Sequence, residues 1–378
     1  FAIDSCDFNT VDGNAITDSY GSLTSRHLCN ANDVMEINSG ATMAVDPVVI
    51  KVGGSDGISI TNSGTISGGQ KTINLGTGDN TILTNEGIIQ SNHQKVINVN
   101  AGGDNVTITN SGTIKGTSAT NSGVGIYLAG DNAVLTNSKY IFTLKSKAVT
   151  VVGDNATITN QSGGEIRAGS EIGSDGSVNA IHVNAVLFNN ADSNYKGTLE
   201  NYGKLTAAQS TVKVGMQNVV INNYSGAIIQ HTDDAAGFAS ISIGKDNATI
   251  TNKGTITGTH ANSHSIEVAN GVEGTKIYVD GAPTFTGEIE LNNAAANTTV
   301  YLECNMSQDT TIEIHNKPNL NITNNLCGND TYTIQDSSQN ADADNSETNG
   351  YLVIDEGLEV VSNNASYRSE NVLTKLKG

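Results

Sequence analysis

The sequence lacks tryptophan and contains only 3 prolines, and aromatic residues make up 4% of the chain. A large globular core normally buries several aromatic rings, so their shortage disfavours a conventional globular domain. Low aromatic content with high polarity is also typical of disordered chains, but recurring isoleucine and valine positions argue against disorder. No stretch approaches the roughly 18 apolar residues of a membrane-spanning helix.

Positive charge is scarce as well. The chain has 38 acidic and 19 basic residues, a net charge of −19, and only three arginines (Arg26, Arg167 and Arg368). Because no basic run occurs, nucleic acid and anionic membranes are not expected as partners. An acidic, hydrophilic surface suits a soluble protein outside the cell, and solubility alone is enough to explain the charge.

Catalytic and metal-binding motifs are missing too. No HExxH pattern, P-loop or G-x-S-x-G elbow occurs. His260 and His264 would face together only on a helix, and their Gly/Asn/Ser-rich surroundings predict a loop. Residues 342–347 begin like a calcium loop, but Glu347 stands where the sharp turn requires glycine. We therefore expect no enzymatic activity, no cofactor and no metal site.

The chain does contain a recurring phrase. Residues 153–160 read Gly-Asp-Asn-Ala-Thr-Ile-Thr-Asn, and residues 245–252 repeat them almost letter for letter. Successive copies close at Asn62, Asn85, Asn110, Asn137 and Asn160. A longer gap leads to Asn223, with a degenerate copy at residues 199–205, and the next copy closes at Asn252. A period of about 25 residues indicates a solenoid, a propeller or an array.

Each phrase has the period-2 alternation of a β-strand. Ala156, Ile158 and Asn160 fall on one side, with Thr157 and Thr159 on the other. A second short strand follows an Asn-x-Gly corner, and a third precedes the next phrase. Three strands in turns of about 22–29 residues predict an all-β fold, a right-handed parallel β-helix. The hand follows from the usual chirality of parallel β connections.

Equivalent residues on adjacent turns of such a fold lie about 4.8 Å apart. We therefore predict a structural ladder of stacked amides, inside the helix or at a corner, formed by Asn62, Asn85, Asn110, Asn137, Asn160 and Asn252. Aspartates also recur in register, at Asp79, Asp104, Asp131, Asp154 and Asp246. Because they lie beside Gly and Asn, we interpret them as turn residues rather than as a catalytic acidic cluster.

The four cysteines form two pairs by spacing. Cys6 and Cys29 are separated by one period of the repeat, and Cys304 and Cys327 have the same separation. Residues stacked on adjacent turns lie within the Cα separation that a disulfide tolerates. We predict two disulfides, one near each end, and hence an oxidising compartment. Four unpaired cysteines remain the alternative.

The repeat divides the chain into three parts. Residues 1–45 carry little repeat signal and are predicted to form an N-terminal cap, residues 46–335 the parallel β-helix, and residues 336–378 an acidic linker and C-terminal end. Residues 167–200 hold either an extra turn or a loop outside the stack. A shorter corner insertion is predicted at residues 231–237.

Turns of the form Asp-Asn-x-Thr-Ile-Thr-Asn-x-Gly-x-Ile, in an acidic Asn/Gly/Thr-rich chain, resemble the passenger domains of bacterial autotransporters (type V secretion). The resemblance covers about residues 46–335. It implies export by a signal peptide and display at the surface of a Gram-negative cell by a C-terminal β-barrel in the outer membrane. Because the chain opens with Phe1 and shows no barrel strands, we expect both ends to have been processed or trimmed. The cysteines depart from the pattern of that class.

The resemblance implies a structural and binding protein. We expect a virulence-associated adhesin, a rigid rod that binds a host-cell surface protein or glycan, or another passenger, through its strand faces and loops. Three alternatives remain open: a secreted toxin subunit resembling vacuolating cytotoxins, a carbohydrate-active β-helix, and a passive stalk. The toxin would require an apolar membrane-inserting segment, which the sequence does not show.

Overall fold

A computed structural model describes residues 26–28, 31–45, 48–118, 123–169, 183–232, 238–258, 263–292, 297–315, 320–328, 330–336 and 350–355. The regular elements within these ranges are all β-strands, and none of these residues is helical. The predicted all-β class is therefore confirmed. The predicted N-terminal disulfide, Cys6 with Cys29, lies outside the described residues.

The strands are short, with three to six residues each. The first twelve are β1 (Arg26–Leu28), β2 (Val34–Ile37), β3 (Thr42–Val45), β4 (Val48–Val52), β5 (Ser59–Asn62), β6 (Thr65–Gly68), β7 (Lys71–Asn74), β8 (Ile82–Asn85), β9 (Ile88–Ser91), β10 (Lys95–Val99), β11 (Thr107–Asn110) and β12 (Thr113–Gly116). The next twelve are β13 (Val124–Leu128), β14 (Val134–Asn137), β15 (Tyr140–Thr143), β16 (Val149–Val151), β17 (Ala156–Asn160), β18 (Glu165–Ala168), β19 (Val186–Asn189), β20 (Gly197–Asn201), β21 (Lys204–Ala207), β22 (Val212–Gly215), β23 (Val219–Asn223) and β24 (Ile228–His231). The last twelve are β25 (Ala239–Ile243), β26 (Thr249–Asn252), β27 (Thr255–Thr257), β28 (His264–Val268), β29 (Lys276–Val279), β30 (Thr284–Thr286), β31 (Ile289–Leu291), β32 (Thr298–Leu302), β33 (Thr310–His315), β34 (Leu320–Asn324), β35 (Thr331–Asp336) and β36 (Gly350–Asp355).

The strands stack into three long sheets. Sheet A has 12 strands, in the order β2-β5-β8-β11-β14-β17-β20-β23-β26-β29-β32-β34. Sheet B has 14, in the order β1-β4-β7-β10-β13-β16-β19-β22-β25-β28-β31-β33-β36-β35, and sheet C has 10, in the order β3-β6-β9-β12-β15-β18-β21-β24-β27-β30. One passage through sheets B, A and C makes one turn, so the chain forms a β-solenoid of about 10 turns.

Alternate residues of most strands fill a narrow apolar interior. In sheet A, Ile158 is in register with Leu135 on one neighbouring strand and with Leu199 on the other. None of these three side chains is exposed to solvent. Burial of a side chain of this size stabilises the fold by about 2 kcal/mol, and each turn adds another member to the column. The predicted apolar column is confirmed.

The Asp-Asn pair that opens each phrase forms the corner leading into sheet A. Asn80 has a φ of 57°, in the left-handed region that asparagine tolerates better than most residues. Its N–H donates to the main-chain carbonyl of Asp104 on the next turn (2.9 Å), while the Asp104 N–H donates to the Asp79 carboxylate (2.9 Å). Asp131 and Asp154 repeat the second bond. These aspartates therefore tie adjacent turns together, in agreement with the corner interpretation.

The closing asparagines form a buried amide ladder in sheet A. Each Nδ2 donates to the Oδ1 of the equivalent asparagine one turn further along the chain, over 2.7 to 2.9 Å. At most 1% of any member is exposed. The six predicted residues are joined by two more, and the order is Asn62, Asn85, Asn110, Asn137, Asn160, Asn201, Asn223 and Asn252.

The ladder also holds the corner between sheets A and C. The Nδ2 of Asn110 lies 3.2 Å from the Gly112 carbonyl and 3.2 Å from the Tyr140 carbonyl of the next turn. The column ends where apolar residues occupy it, at Ile37 before the first amide and Val279 after the last. Consequently Asn62 Oδ1 and Asn252 Nδ2, the two terminal atoms of the ladder, have no hydrogen-bond partner.

The stretch 167–200 belongs to one unusually long turn. Asn160 and Asn201 are in register although 41 residues separate them. Strands β18, β19 and β20 continue sheets C, B and A in turn, so the added residues fall between β18 and β19. This turn is longer than the predicted turn length of about 22–29 residues. The added length is tolerated because extra chain at a corner leaves the strand register unchanged. Residues 170–182 of this stretch, and residues 233–237 of the second predicted insertion, lie outside the described residues.

The parallel array starts before its predicted N-terminal limit, and among the described residues its last parallel strand is β34, which ends before residue 335. Strands β1, β2 and β3 already pair within sheets B, A and C, so the described array starts before residue 46. At the other end, β36 lies antiparallel between β33 and β35. An antiparallel strand on the last parallel one occupies backbone groups that would otherwise form an open sheet edge.

The C-terminal cysteine pair joins adjacent turns. Cys304 follows β32 and Cys327 follows β34, which are neighbours in sheet A. Their Cα atoms lie 4.8 Å apart and their sulfur atoms lie at bonding distance. The predicted pairing at this end is therefore confirmed.

Replacing Asn137 by leucine would remove one rung of the ladder. Asn160 Oδ1 would lose its donor, whereas Asn110 Nδ2 would keep its two longer bonds to main-chain carbonyls. Because one buried unpaired group costs about 1–3 kcal/mol, we expect urea unfolding to report a loss of about that size. The control Thr136→Ala, which changes the neighbouring outward side chain, should cost less than about 1 kcal/mol. Equal losses in the two variants would contradict a stabilising role for the ladder.

Candidate functional site

The outward face of sheet A consists of two chemically different halves. The position immediately before each ladder asparagine is threonine on five successive turns, at Thr61, Thr84, Thr109, Thr136 and Thr159. From the next turn onward, the same column reads Glu200, Asn222, Thr251, Tyr278 and Tyr301. A uniform hydroxyl face thus gives way to carboxylate, amide and aromatic groups.

The corner column, which follows the ladder position, changes at the same turn. It carries Tyr202, Tyr224, Lys253 and Asp280, whose N–H groups donate to the main-chain carbonyls of the preceding turn. Together the two columns form one surface, which we name the tyrosine patch. Its members are Glu200, Tyr202, Asn222, Tyr224, Thr251, Lys253, Tyr278, Asp280 and Tyr301.

Stacked rings and hydrogen bonds fix the N-terminal part of the tyrosine patch. The rings of Tyr202 and Tyr224 are parallel within 5°, with centroids 3.9 Å apart. The Tyr224 hydroxyl donates to Glu200 Oε2 (2.7 Å), and Asn222 Nδ2 donates to Glu200 Oε1 (3.0 Å). Hydrogen bonding to Tyr202 and to Glu200 raises the pKa of Tyr224 above its ordinary value. The side chains are therefore held in place before any ligand arrives.

The remainder of the tyrosine patch combines a second ring stack with an ion pair. Tyr278 and Tyr301 stack with centroids 4.5 Å apart, and Lys253 Nζ lies 2.7 Å from Asp280 Oδ2. Asp280 is only 7% exposed, and its Oδ1 has no hydrogen-bond partner. A shallow depression of about 220 Å³ lies beside the first ring stack, against Asn222, Tyr224, Thr251 and Lys253. It offers donors and acceptors beside aromatic rings.

A second cluster lies near the C-terminal end of sheet B. His264 begins β28, Glu288 precedes β31, Glu290 lies within β31, and His315 ends β33. The Nδ1 atom of His264 lies 2.9 Å from Glu288 Oε1. The Nδ1 atom of His315 lies 3.8 Å from that oxygen and 3.2 Å from Glu290 Oε2. We name these four residues the His/Glu cluster.

Neighbouring carboxylates add to the negative charge around the His/Glu cluster. Glu313 Oε1 lies 3.8 Å from His315 Nε2. Glu267 is in register with Glu290, and it accepts a hydrogen bond from Ser242 Oγ (3.2 Å). Four glutamates on three successive turns therefore surround two imidazoles.

The pKa values in the His/Glu cluster shift in the direction that favours charged pairs. Burial would lower the pKa of His264, but its close contact with Glu288 and the other nearby carboxylates outweigh burial, so the pKa is raised. The hydrogen bond to Glu290 raises the pKa of His315 against the effect of burial. Burial would raise the pKa of Glu288, but the two histidines lower it overall.

Several features of the two sites are missed by the sequence interpretation. The sequence predicts a loop at His264, but this residue begins strand β28, because the register of Ile266 with Ile241 places the segment in sheet B. Glu267 and Glu290 lie one period of the repeat apart, which is the signal that could have revealed the His/Glu cluster. Asn201 and Asn223 close phrases of the repeat but are absent from the predicted ladder. The tyrosine patch has no signal of its own, because its side chains differ from turn to turn.

The chain matches no protein-family model, no curated protein and no solved structure. No helix among the described residues is long and apolar enough to cross a lipid bilayer. The tyrosine patch, the His/Glu cluster and the shape of the rod are therefore the features that bear on function.

The His/Glu cluster should make stability depend on pH in chelator-treated protein. Stabilisation from the raised histidine pKa values is fully present below their ordinary value of 6.5 and is lost as pH rises through the raised values. Stabilisation from the lowered pKa of Glu288 is present above 4.5 and is lost as pH falls through the lowered value. The contribution of the cluster is therefore greatest between pH 4.5 and 6.5.

We expect a higher urea midpoint at pH 6 than at pH 8.5, and a smaller difference for the double variant His264→Gln/His315→Gln. The exposed His93 provides the control, and His93→Gln should keep the full difference. If the double variant retained the entire pH dependence, the ion pairs of the cluster would not be its source.

Proposed function

We propose that this chain is a cell-surface adhesin of the autotransporter passenger type, a rigid rod that binds host-cell glycans through the tyrosine patch. The observation that carries the proposal is the change along one register column, from threonine on five turns to Glu200, Asn222 and Tyr278 on later ones. The repeat continues to specify the interior across this point. Only the outward residues change, and tyrosine is enriched where proteins bind partners.

The fold supports the display of such a surface. About 10 turns at a strand spacing of about 4.8 Å give a stack about 50 Å long. Because side chains of one column lie on a straight line along the rod, the tyrosine patch can contact several units of an extended ligand. A rod of this kind suits a protein exposed outside a Gram-negative cell, as the resemblance to passenger domains implies.

The chemistry of the tyrosine patch favours a glycan. The C–H faces of a sugar ring stack on aromatic rings, and Tyr202 keeps 41% of its surface exposed. Sugar hydroxyls both donate and accept, which matches the carboxylate of Glu200, the amide of Asn222 and the ammonium of Lys253. Each hydrogen bond contributes about 1 kcal/mol net, so binding at one shallow site is weak. Many copies on one cell would strengthen it through multivalency.

The glycan proposal is tested on an array with the purified chain presented multivalently. We expect binding to a subset of glycans and a loss of at least about tenfold in the double variant Tyr202→Ala/Tyr224→Ala, since about 1.4 kcal/mol corresponds to tenfold. The matched control Thr84→Ala/Thr109→Ala alters the same face on its threonine half and should bind like the wild type. Circular dichroism checks that all variants fold.

Two outcomes would contradict the glycan proposal. One is the absence of glycan binding by the wild type, which would leave a host protein or the passive stalk as alternatives. The other is equal loss in the two double variants. Adhesion of displaying cells to host cells, measured with the same variants, separates a protein receptor from a stalk.

Self-association is the second candidate function, and a different observation favours it. On the threonine half of sheet A, Ile82 is 47% exposed and Val134 is 38% exposed, and both lie in one column with Thr107. Exposed aliphatic groups at regular intervals on a flat sheet suit contact with a second copy.

Sedimentation across a range of concentrations tests this second candidate. We expect dimers that the variant Ile82→Lys/Val134→Lys shifts to monomer, because paired faces would then carry like charges. The control Tyr202→Ala/Tyr224→Ala leaves this half of the face intact and should dimerise normally. A monomer at every concentration would exclude self-association.

A further inference from the structure

We propose that His264, Glu288, Glu290 and His315 form a binding site for one Zn²⁺ ion. The proposal is independent of the adhesin function, because the site lies on sheet B and the tyrosine patch on sheet A. It rests on three observations: the spacing of the ligand atoms, their chemical type and their burial.

Three of the six distances between the four ligand atoms are close to the spacing that zinc requires. Tetrahedral zinc with bonds of about 2.0–2.1 Å places its ligand atoms about 3.3 Å apart. The distances here are 2.9 Å from His264 Nδ1 to Glu288 Oε1, 3.8 Å from that oxygen to His315 Nδ1, and 3.2 Å from His315 Nδ1 to Glu290 Oε2. Ligand atoms of His264, Glu288 and Glu290 all lie within 4.8 Å of one another. Ligand atoms of Glu288, Glu313 and His315 form a second group of the same kind, so the two groups share Glu288 and the two histidines would have to move toward one ion bound at this carboxylate.

The chemical type of the ligand atoms favours zinc over calcium and magnesium. Two imidazoles and two carboxylates suit zinc, whereas calcium and magnesium take oxygen ligands almost exclusively. Two ionised glutamates and two neutral histidines carry a charge of −2, which one Zn²⁺ ion neutralises. Any proton on His264 Nδ1 or on His315 Nδ1 leaves to solvent on binding, since zinc occupies the lone pair of each nitrogen.

The four proposed ligands are largely buried, and the backbone of sheet B fixes their positions. Glu288 is only 8% exposed, and an ionised carboxylate at such a position requires a cationic partner. The side chains of His264, Glu290 and His315 are 17%, 13% and 21% exposed. The four residues come from β28, β31, β33 and the residue before β31, so the ladders of sheet B hold them at fixed separations. Zinc would join three successive turns beside the antiparallel strand β36.

The competing account is an ion-pair network in which protonated histidines neutralise the glutamates without any metal. The two accounts differ in what Zn²⁺ does to the purified protein. Untagged chain, stripped with a chelator at pH 7.5, is titrated with Zn²⁺ by calorimetry and then dialysed for elemental analysis. Parallel loading with Co²⁺ reports the ligand geometry through its visible absorption.

We expect one Zn²⁺ ion per chain, an affinity at least about 100-fold lower in His264→Gln and in His315→Gln, and unchanged affinity in His93→Gln. Bound Co²⁺ should show the intense visible bands of four-coordinate geometry, and these bands should disappear in the two cluster variants. Circular dichroism of the metal-free variants checks that loss of binding does not reflect unfolding. Should His264→Gln fail to fold, the milder Glu290→Gln replaces it.

Three results would overturn the zinc site. The first is the absence of Zn²⁺ binding by the wild type. The second is unchanged Zn²⁺ affinity in both His264→Gln and His315→Gln. The third is an equal loss of Zn²⁺ affinity in the control His93→Gln. The first would assign the cluster to the ion-pair network.

Discussion

The structure depends on the register with which each turn lies on the next, and the buried amide ladder determines that register. Apolar columns alone tolerate a slip of two residues, because one isoleucine replaces another on the same face. Such a slip would move an asparagine such as Asn137 opposite an aliphatic residue and leave its buried amide without partners. Because unpaired buried polar groups cost about 1–3 kcal/mol each, eight amides in one column strongly favour a single register. The Asp-Asn corners apply the same constraint at another side of the turn.

A fixed register converts a repeat into a surface with defined neighbours. Inward positions are mostly apolar or asparagine, with a few buried hydroxyl residues such as Thr81 and Ser265, whereas outward positions vary more freely from turn to turn. The tyrosine patch and the His/Glu cluster both arise in this way, each from side chains that are about one turn apart in sequence and adjacent in space. Glu200 meets Asn222, and Glu290 meets His315, across one such separation. Function can therefore change by single substitutions on a constant scaffold.

The sequence predicts the features that recur with the period of the repeat. Strand alternation around Ile158, the stacked asparagines and the Cys304–Cys327 pair all follow from a period that can be counted. Strand register is harder to predict where it depends on segments that lie outside the repeat. The turn before Asn201 is 41 residues long, so the usual period cannot be counted across it. The antiparallel pairing of β36 involves a strand with no copy elsewhere in the repeat. A loop is predicted at His264 because its neighbours are small and polar, whereas pairing with β25 and β31 makes it part of a strand.

The direction of the hydrogen bonds has a mechanical consequence. Ladder bonds, corner bonds and sheet bonds all run from turn to turn, along the axis of the rod. Tension on the two chain ends therefore peels the stack one turn at a time, and a turn of about 23 residues releases about 80 Å of extended chain as it opens. The bond between Cys304 and Cys327 closes a loop of the same length and keeps it from extending. A rod built in this way yields in steps under tension, and in the proposed adhesin it would absorb a pull that otherwise acts on the bound glycan.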